Sequence, residues 1–191
     1  LHLCDQHLSH MKAEKINSKD NLLLEVCLAA QYEGSSLVKK YKEYKQPSND
    51  SNTDICTVLA RSFADIGDII RGKDLFIGYN QKDRKEKKQL QQSLKEIFGK
   101  IHKEVTSSGR NGEALKTRYG IDKDFFQLRE DWWYANRIMV WNAITCGAGG
   151  GTYFRKTCGS DENHPTATKG NCRCIGATVP TYFDYVPQYL R

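Results

Sequence analysis

The stretch 60–72, with the sequence ARSFADIGDIIRG, predicts a helix with two aspartates and two arginines close to its apolar face. Apolar residues recur from Ile55 to Ile70 mostly at steps of three and four, which places them on one face of an α-helix. Asp54 stands where an N-cap belongs, and Gly72 stands where a C-terminal cap belongs. The segment is therefore predicted to be a packed helix with a charged edge.

The rest of the chain has the same helical periodicity on both sides of this stretch. We expect long helices over residues 18–45, 82–106 and 123–145, and a short one over 113–120. The 123–145 helix is apolar on nearly all sides, which is typical of a helix in the middle of a bundle. Residues 147–176 lack periodicity and are predicted to form a long surface loop held by disulfides. The predicted fold class is all-α, a disulfide-stapled helical bundle with long surface loops.

Length and composition limit the classes of protein to which the chain can belong. Its 191 residues suffice for one domain with a real core, and no apolar run approaches the roughly 20 residues that span a bilayer. The net charge of +6 favours anionic partners such as nucleic acid, sulfated glycans or acidic lipids, without choosing among them. The chain lacks an initiator Met and a signal peptide, so we expect an excised fragment.

Seven cysteines are typical of an extracellular domain with disulfides. Cys4 lies close to the first residue, and its partner is expected upstream. The remaining six are enough for three bridges within the chain. A zinc site is not favoured because only Cys172 and Cys174 form a tight pair, whereas structural zinc sites use two such pairs.

Residue patterns typical of catalysis or cofactor binding are missing from the sequence. Gly149–Gly151 lacks the lysine and hydroxyl residue of a phosphate-binding loop, and no histidine stands in a general-base setting. Asp65 and Asp68 are three residues apart, like paired catalytic carboxylates, but no second acid pair accompanies them. We therefore expect no enzyme, no metal and no cofactor, and we interpret the two aspartates as structural.

Polar side chains on the predicted central helix need partners inside the bundle. The helix predicted around residues 60–72 offers such partners. We predict a buried polar clamp in which Asp65, Asp68 and Arg71 contact Arg129, Arg137 or Asn142. The full predicted clamp consists of Arg61, Asp65, Asp68, Arg71, Arg129 and Arg137.

Four motifs resemble those of one known family. They are ARSFADIGDIIRG at 60–72, WNAITC at 141–146, CRC at 172–174 and DYVPQYLR at 184–191. Together they resemble Duffy-binding-like domains, and the most similar class is the α type (DBLα) of the erythrocyte membrane protein 1 adhesins of falciparum malaria. The resemblance implies that residues 1–16 end a preceding subdomain and that residues 17–191 form the helical second subdomain. A third subdomain would then be absent.

The resemblance also implies a function in host-cell adhesion, virulence and antigenic variation rather than in catalysis. The expected location is the extracellular part of a membrane protein on the infected erythrocyte surface, where host antibodies would meet it. Members of the α class are associated with rosetting through heparan-sulfate-like glycans, blood-group sugars or complement receptor type 1. Flanking subdomains of the same adhesin are further expected partners. Nucleic acid is not expected, since the compartment is oxidising.

Two lysine-rich helix ends are the predicted contacts for an anionic glycan. They comprise Lys39, Lys40, Lys42, Lys45, Lys82, Arg84, Lys85, Lys87 and Lys88. One alternative is protein-receptor binding through the 147–176 loop or an exposed aromatic residue. The other is a scaffold subdomain that has no receptor site of its own.

The disulfide pairing predicted for the six remaining cysteines links neighbouring parts of the chain. We predict that Cys27 pairs with Cys56, joining the first two long helices. Cys146 is predicted to pair with Cys172 or Cys174, and Cys158 with the other.

Overall fold

The structure is a computed structural model that describes residues 8, 11–44, 54–107, 111–120, 122–149, 156–159, 165–176 and 178–191. Within these ranges the chain is helical, and its only β-type pairing is two isolated bridges in the loop after the last helix. This confirms the predicted all-α class. The helices are α1 (Lys19–Tyr44), α2 (Ile55–Arg71), α3 (Gln81–Ser107), α4 (Gly112–Tyr119) and α5 (Phe126–Ile144), and two 3-10 turns follow at Phe183–Tyr185 and Gln188–Leu190.

Helix α2 contains most of the stretch 60–72, and both of its ends form as the sequence predicts. The Asp54 side chain accepts a hydrogen bond from the Cys56 N–H at 3.0 Å, which caps the first turn. At the other end Gly72 has a φ of 76°, and the Lys73 N–H donates to the Asp68 carbonyl at 2.8 Å. This is a Schellman-type ending, which favours glycine because side chains strain a positive φ.

Helix α5 starts three residues later than its periodicity predicts. Phe125 has a φ of 58°, a left-handed value that interrupts the helical backbone. Asp122 caps the turn that precedes the helix, because its carboxylate accepts the N–H groups of Asp124 at 3.1 Å and Gln127 at 2.9 Å. The helix therefore begins at Phe126.

The chain divides into two compact units. Of the described residues, the first unit contains those within 27–67 and 137–191, and the second contains those within 8–26 and 68–136. This division does not follow the predicted boundary after residue 16, and the subdomain assignment stays a prediction.

The core of the first unit forms where α1, α2 and α5 meet. Phe63 and Trp141 are fully buried and pack edge to face, with ring centroids 5.2 Å apart. Gly34 lies so close to the end of α5 that an added Cβ would stand 1.9 Å from the Ile144 carbonyl oxygen. Glycine at this position therefore permits the close approach of α1 and α5.

The core of the second unit is built on the apolar face of α3. Leu94, Ile97 and Phe98 are fully buried, and the Phe98 ring meets Trp132 of α5 edge to face at 6.1 Å. Lys100 on the same helix donates to the carbonyl oxygens of Ala13 and Ile16 and to the Asn17 side chain, and so holds the segment before α1.

The predicted disulfide pairing is wrong for Cys27, Cys56 and Cys146, whereas Cys158 pairs with one of its two predicted partners, Cys174. The structure joins Cys56 to Cys172 and Cys158 to Cys174. Cys27 is half-buried and Cys146 is exposed, and neither forms a disulfide in the part of the chain that the structure describes. Cys4 lies outside the described residues.

The reason for the observed pairing is the way the CRC motif packs in the first unit. The Trp141 indole N–H donates to the Cys172 carbonyl at 3.0 Å, and the Arg173 side chain donates to Thr145 Oγ1 at 2.8 Å. These bonds hold Cys172 beside α5, where it reaches Cys56 at the start of α2. Cys172 and Cys158 are buried, so the described part of the 147–176 loop is partly packed into the unit.

Candidate functional site

Residues 72–80 connect α2 to α3 and expose several apolar side chains. The Asp74 side chain accepts the Phe76 N–H at 3.0 Å, and the Asp83 side chain accepts the Tyr79 N–H at 3.2 Å. These bonds hold the segment that leads into the basic first turns of α3. The exposed apolar side chains of this segment are Leu75, Phe76, Ile77 and Tyr79.

Lys87 of α3 holds this connecting segment in place. Its Nζ lies 2.5 Å from Asp74 Oδ2 and 5.1 Å from the centroid of the Phe76 ring. The Lys87 side chain is 22% exposed, so the ion pair is less screened than a surface pair. Lys87 therefore has a structural contact that the neighbouring lysines do not share.

A groove of about 490 Å³ lies in the second unit between this segment, α3 and the start of α5. Its lining combines four cations, two carboxylates, two glutamines and one phenyl ring. Its volume is within the range of small-ligand sites, which is about 300–1,000 Å³.

Arg129 forms the buried wall of the groove and is 3% exposed. Its Nε donates to the Ile70 carbonyl at 2.6 Å, and its Nη2 donates to the Ile69 carbonyl at 3.1 Å and to Gln91 Oε1 at 3.0 Å. By donating to the Ile69 and Ile70 carbonyls, Arg129 caps the end of α2, where carbonyl groups lack α-helical partners. Burial lowers the pKa of Arg129 to about 10, so the guanidinium stays charged at neutral pH.

The groove has more positive than negative charge. Asp74 is paired as described above, and Asp124 Oδ1 lies 2.6 Å from Lys95 Nζ. Among the described residues, neither Lys88 nor Arg129 forms an ion pair with a carboxylate. Asp124, Asp122 and Glu130 are near enough to act on the Arg129 charge. The four cations that line the groove still outnumber its two carboxylates, which favours an anionic ligand.

The predicted glycan-binding residues fall into two separate groups. Of the described members, Lys39, Lys40 and Lys42 are exposed near the end of α1 in the first unit; Lys82, Arg84, Lys85 and Lys88 are exposed on α3 in the second; and Lys87 is half-buried there. Lys45 lies outside the described residues. Lys87 and Lys88 also line the groove.

The sequence interpretation missed three further groove residues on α3, namely Gln91, Gln92 and Lys95. Counted from the predicted Lys88, they follow at steps of three, one and three, which places all four on one side of the helix. That spacing was available in the sequence. Phe126, in contrast, carries no signal that separates it from a core phenylalanine.

The acidic part of the predicted clamp has partners that were not predicted. Arg71 Nη2 lies 2.9 Å from Asp68 Oδ1 on the same helix, and Arg71 Nη1 lies 3.5 Å from Glu130 Oε2 of α5. Asp65 Oδ1 lies 3.3 Å from Arg191 Nη1 in the first unit. Carboxylate and guanidinium groups from outside the predicted set therefore take part.

Arg137 of α5 makes the main buried ion pair of the first unit. Its Nε and Nη2 lie 2.8 Å and 2.7 Å from the two carboxylate oxygens of Asp184, and Nη2 also donates to the Thr181 carbonyl at 2.7 Å. Asp184 was not in the predicted clamp. Arg61 and Asn142 are exposed, so they are not buried members of it.

In the described residues, these observations define a helical, disulfide-linked chain with a groove that is lined by more cations than carboxylates. The Duffy binding domain family matches residues 1–191, so the chain belongs to this family. Domains of this family are adhesion modules rather than enzymes.

Solved structures of PfEMP1 domains are similar to this chain. The N-terminal NTS-DBL1α and CIDRγ double domain of PfEMP1 from the Plasmodium falciparum varO strain is 39% identical over 99% of this chain, with a TM-score of 0.74. The ICAM-1-binding IT4var13 DBLβ domain is 31% identical over the whole chain, with a TM-score of 0.65. A third, a PfEMP1 DBLβ domain bound to human ICAM-1, is 29% identical with a TM-score of 0.59.

The chain spans about a quarter to two fifths of these structures, namely 25%, 39% and 34% of their lengths. The comparison with curated proteins gives no significant match. In the described ranges, no helix is long and apolar enough to cross a membrane.

Proposed function

We propose that this chain is part of a host-cell adhesion domain exposed on the surface of the malaria-infected erythrocyte, and that it binds an anionic glycan. Membership of the Duffy binding domain family supports the adhesion function, and the similarity to PfEMP1 domains supports the location. The proposed receptors include heparan sulfate and other acidic or blood-group sugars of red cells, which would make the domain a rosetting ligand. Complement receptor type 1 is a proposed protein partner.

The basic start of α3 is the observation that carries the glycan proposal. Lys82, Arg84, Lys85 and Lys88 are exposed within the first eight residues of the helix. Of these, Lys82 is 3.8 Å from Glu86, an exposed pair that contributes little. A dense group of solvated cations attracts a sulfated glycan chain. When these cations bind the chain, they replace counterions that were bound to its sulfate groups.

The experiment is retention of the chain on a heparin column as a function of salt. We expect charge reversal of Arg84, Lys85 and Lys88 to lower the salt concentration of elution strongly, because these side chains meet the polyanion directly. Lys87 is left unchanged since it pairs with Asp74.

The matched control reverses Lys12, Lys103 and Lys123, which are also exposed in the second unit. Both triple variants change the net charge by the same amount. Equal loss of retention in the two variants would show that only net charge matters and would contradict the proposed site.

Protein-receptor binding is a second candidate because two of the similar DBLβ domains bind ICAM-1. The segment after α2 supports it, since Leu75 and Ile77 are 61% and 73% exposed. Binding of the chain to ICAM-1 on a sensor surface would then change little with salt and fall in a Leu75→Ser, Ile77→Ser variant. No binding to ICAM-1 or to red cells would favour the scaffold alternative.

A further inference from the structure

We infer that the groove of the second unit is a subsite for one anionic pyranose residue, with the sugar ring on Phe126 and its acid group between Lys88 and Arg129. The inference rests on the proposed glycan function and deepens it. It replaces a general attraction between a basic helix and a polyanion by a defined position for one sugar. Sulfated and carboxylated sugars share the required chemistry.

Arg129 provides a positive charge that does not have to be ordered on binding. Its guanidinium is held by three hydrogen bonds to Ile69, Ile70 and Gln91, as described above. The Gln91 amide is itself fixed, because its Nε2 donates to the Ile69 carbonyl at 3.3 Å. A cation fixed in this way loses little side-chain entropy when an anion binds. Gln91 is a positioning residue in this arrangement.

Lys88 provides a second charge from the solvent side of the groove. It is exposed on α3 and lines the groove together with Arg129. One buried and one exposed cation on the same groove can contact a sulfate or carboxylate from two directions. The other lysines of the groove, Lys87 and Lys95, are already paired with Asp74 and Asp124.

Phe126 provides the apolar surface that a sugar ring requires. Its side chain is at the first position of α5, and the residue is 47% exposed although it lines a groove. The Arg129 guanidinium lies 5.7 Å from the ring centroid and covers part of the ring. The remaining exposed surface can pack against the C–H groups of a pyranose. A simple anion site would not need an exposed ring.

Gly72 keeps the end of α2 close to these two side chains. An added Cβ would lie 2.8 Å from Phe126 Cε1 and 3.0 Å from Arg129 Nη1. Any larger residue would displace both groups. The helix-ending glycine therefore also sets the shape of the groove.

The test is a titration of the 191-residue chain, followed by two-dimensional NMR of backbone amides, with three probes. They are a fully sulfated heparin disaccharide, its unsulfated, N-acetylated and carboxyl-reduced counterpart, which carries no charge, and N-acetylneuraminic acid. We expect at least one acidic probe to shift amides around Lys88 and Phe126, and the uncharged disaccharide to bind more weakly than that probe. Lys88→Gln and Phe126→Leu should each raise the Kd of the binding probe about tenfold.

Two controls match these variants on the same helices. Lys103→Gln removes an exposed lysine of α3, and Tyr134→Leu removes an exposed ring of α5, both away from the groove. Neither should change the Kd. None of the variants replaces a buried residue. Amide signals far from each substitution should therefore match those of the unmodified chain, which shows that the variant is folded.

The inference and the proposed function fail in different ways. If no acidic probe shifts amides of the groove, or if Lys88→Gln and Phe126→Leu bind like the unmodified chain, the subsite is wrong. Salt-dependent heparin retention would then still support the proposed function. If the chain is not retained on heparin but an acidic monosaccharide binds at Phe126, the subsite stands and the polyanion proposal is wrong.

Discussion

Single residues in the first unit allow its helices to approach closely, and Gly34 is the clearest case. Gly34→Ala would gain about 1 kcal/mol of helix propensity, but its Cβ would meet the Ile144 carbonyl oxygen at 1.9 Å. Overpacking of this kind costs about 1–3 kcal/mol, and contact with backbone leaves no side chain that can move away. We therefore expect a net loss of stability in urea unfolding.

The matched control for this substitution is Gly147→Ala. An added Cβ at Gly147 meets nothing within 4 Å, so its effect should stay within about 0.5 kcal/mol. If the two alanine variants unfolded at the same urea concentration, α1 and α5 would not pack as described.

The buried ion pair between Arg137 and Asp184 predicts a large loss of stability when Asp184 is replaced. Asp184 is 1% exposed, and replacing it by Asn leaves a buried guanidinium without its carboxylate. Loss of one partner of a buried pair costs about 3–5 kcal/mol. We expect a decrease of that order in the free energy of unfolding, measured by urea titration.

An exposed ion pair serves as the comparison for Asp184→Asn. Glu86→Gln removes the partner of Lys82, whose side chain is 83% exposed, and should change stability by less than about 1 kcal/mol. A small effect at Asp184 would mean that the C-terminal segment is not needed to compensate Arg137.

Between elements, α4 and α5 are linked through one carboxylate. Asp131 of α5 accepts hydrogen bonds from Arg118 at 2.7 Å and from the Tyr119 hydroxyl at 2.8 Å, both on α4, and from Gln127 at 3.1 Å. The Arg118 hydrogen bond is the largest cause that lowers the pKa of Asp131, and the other donors act in the same direction. The ionised carboxylate therefore stabilises the folded state.

This link predicts a pH dependence with a defined sign. The folded pKa of Asp131 is below its unfolded value of about 3.9. Its contribution is therefore present above about pH 4 and is lost as the pH falls through the folded pKa. Asp131→Asn should destabilise the chain at pH 6, and the difference from the unmodified chain should narrow at pH 3. Urea unfolding at both pH values measures this, and a difference that does not narrow would contradict it.

At the scale of the whole molecule, the disulfides connect segments that are far apart in sequence. Cys56 and Cys172 are separated by 116 residues, whereas Cys158 and Cys174 are separated by 16. Chain-entropy arguments give about 4–5 kcal/mol for the long loop and about 3 kcal/mol for the short one. Replacing both cysteines of a pair by serine should therefore destabilise the chain more for the first pair.

Non-reducing peptide mapping tests the pairing itself. We expect linked peptides that contain the two observed pairs, and alkylation of Cys146 before Cys27. Cys146 is exposed, whereas burial raises the pKa of the Cys27 thiol and so lowers its reactive thiolate fraction. A peptide that links Cys27 to Cys56 would contradict the Cys56–Cys172 disulfide and support the pairing predicted from sequence.

The helical class, the approximate extent of each helix and the family could all be predicted from the amino-acid sequence. Periodicity reports which face of a helix is buried, and the caps at Asp54 and Gly72 mark where α2 begins and ends. The motifs at 60–72 and 184–191 identify the family because they include residues that the packed core requires, such as Phe63, Arg71 and Asp184.

Which residues come together depends on the tertiary packing of the helices. A helical pattern does not say which remote segment covers the buried face, so the partners of Arg137 and Cys56 could not be predicted from it. The groove has the same origin, because Lys88, Phe126 and Arg129 come from two helices whose contact depends on packing. In the stretch from Ala60 to Gly72, the sequence predicted a charged helix, and packing determined which side chains its charges meet.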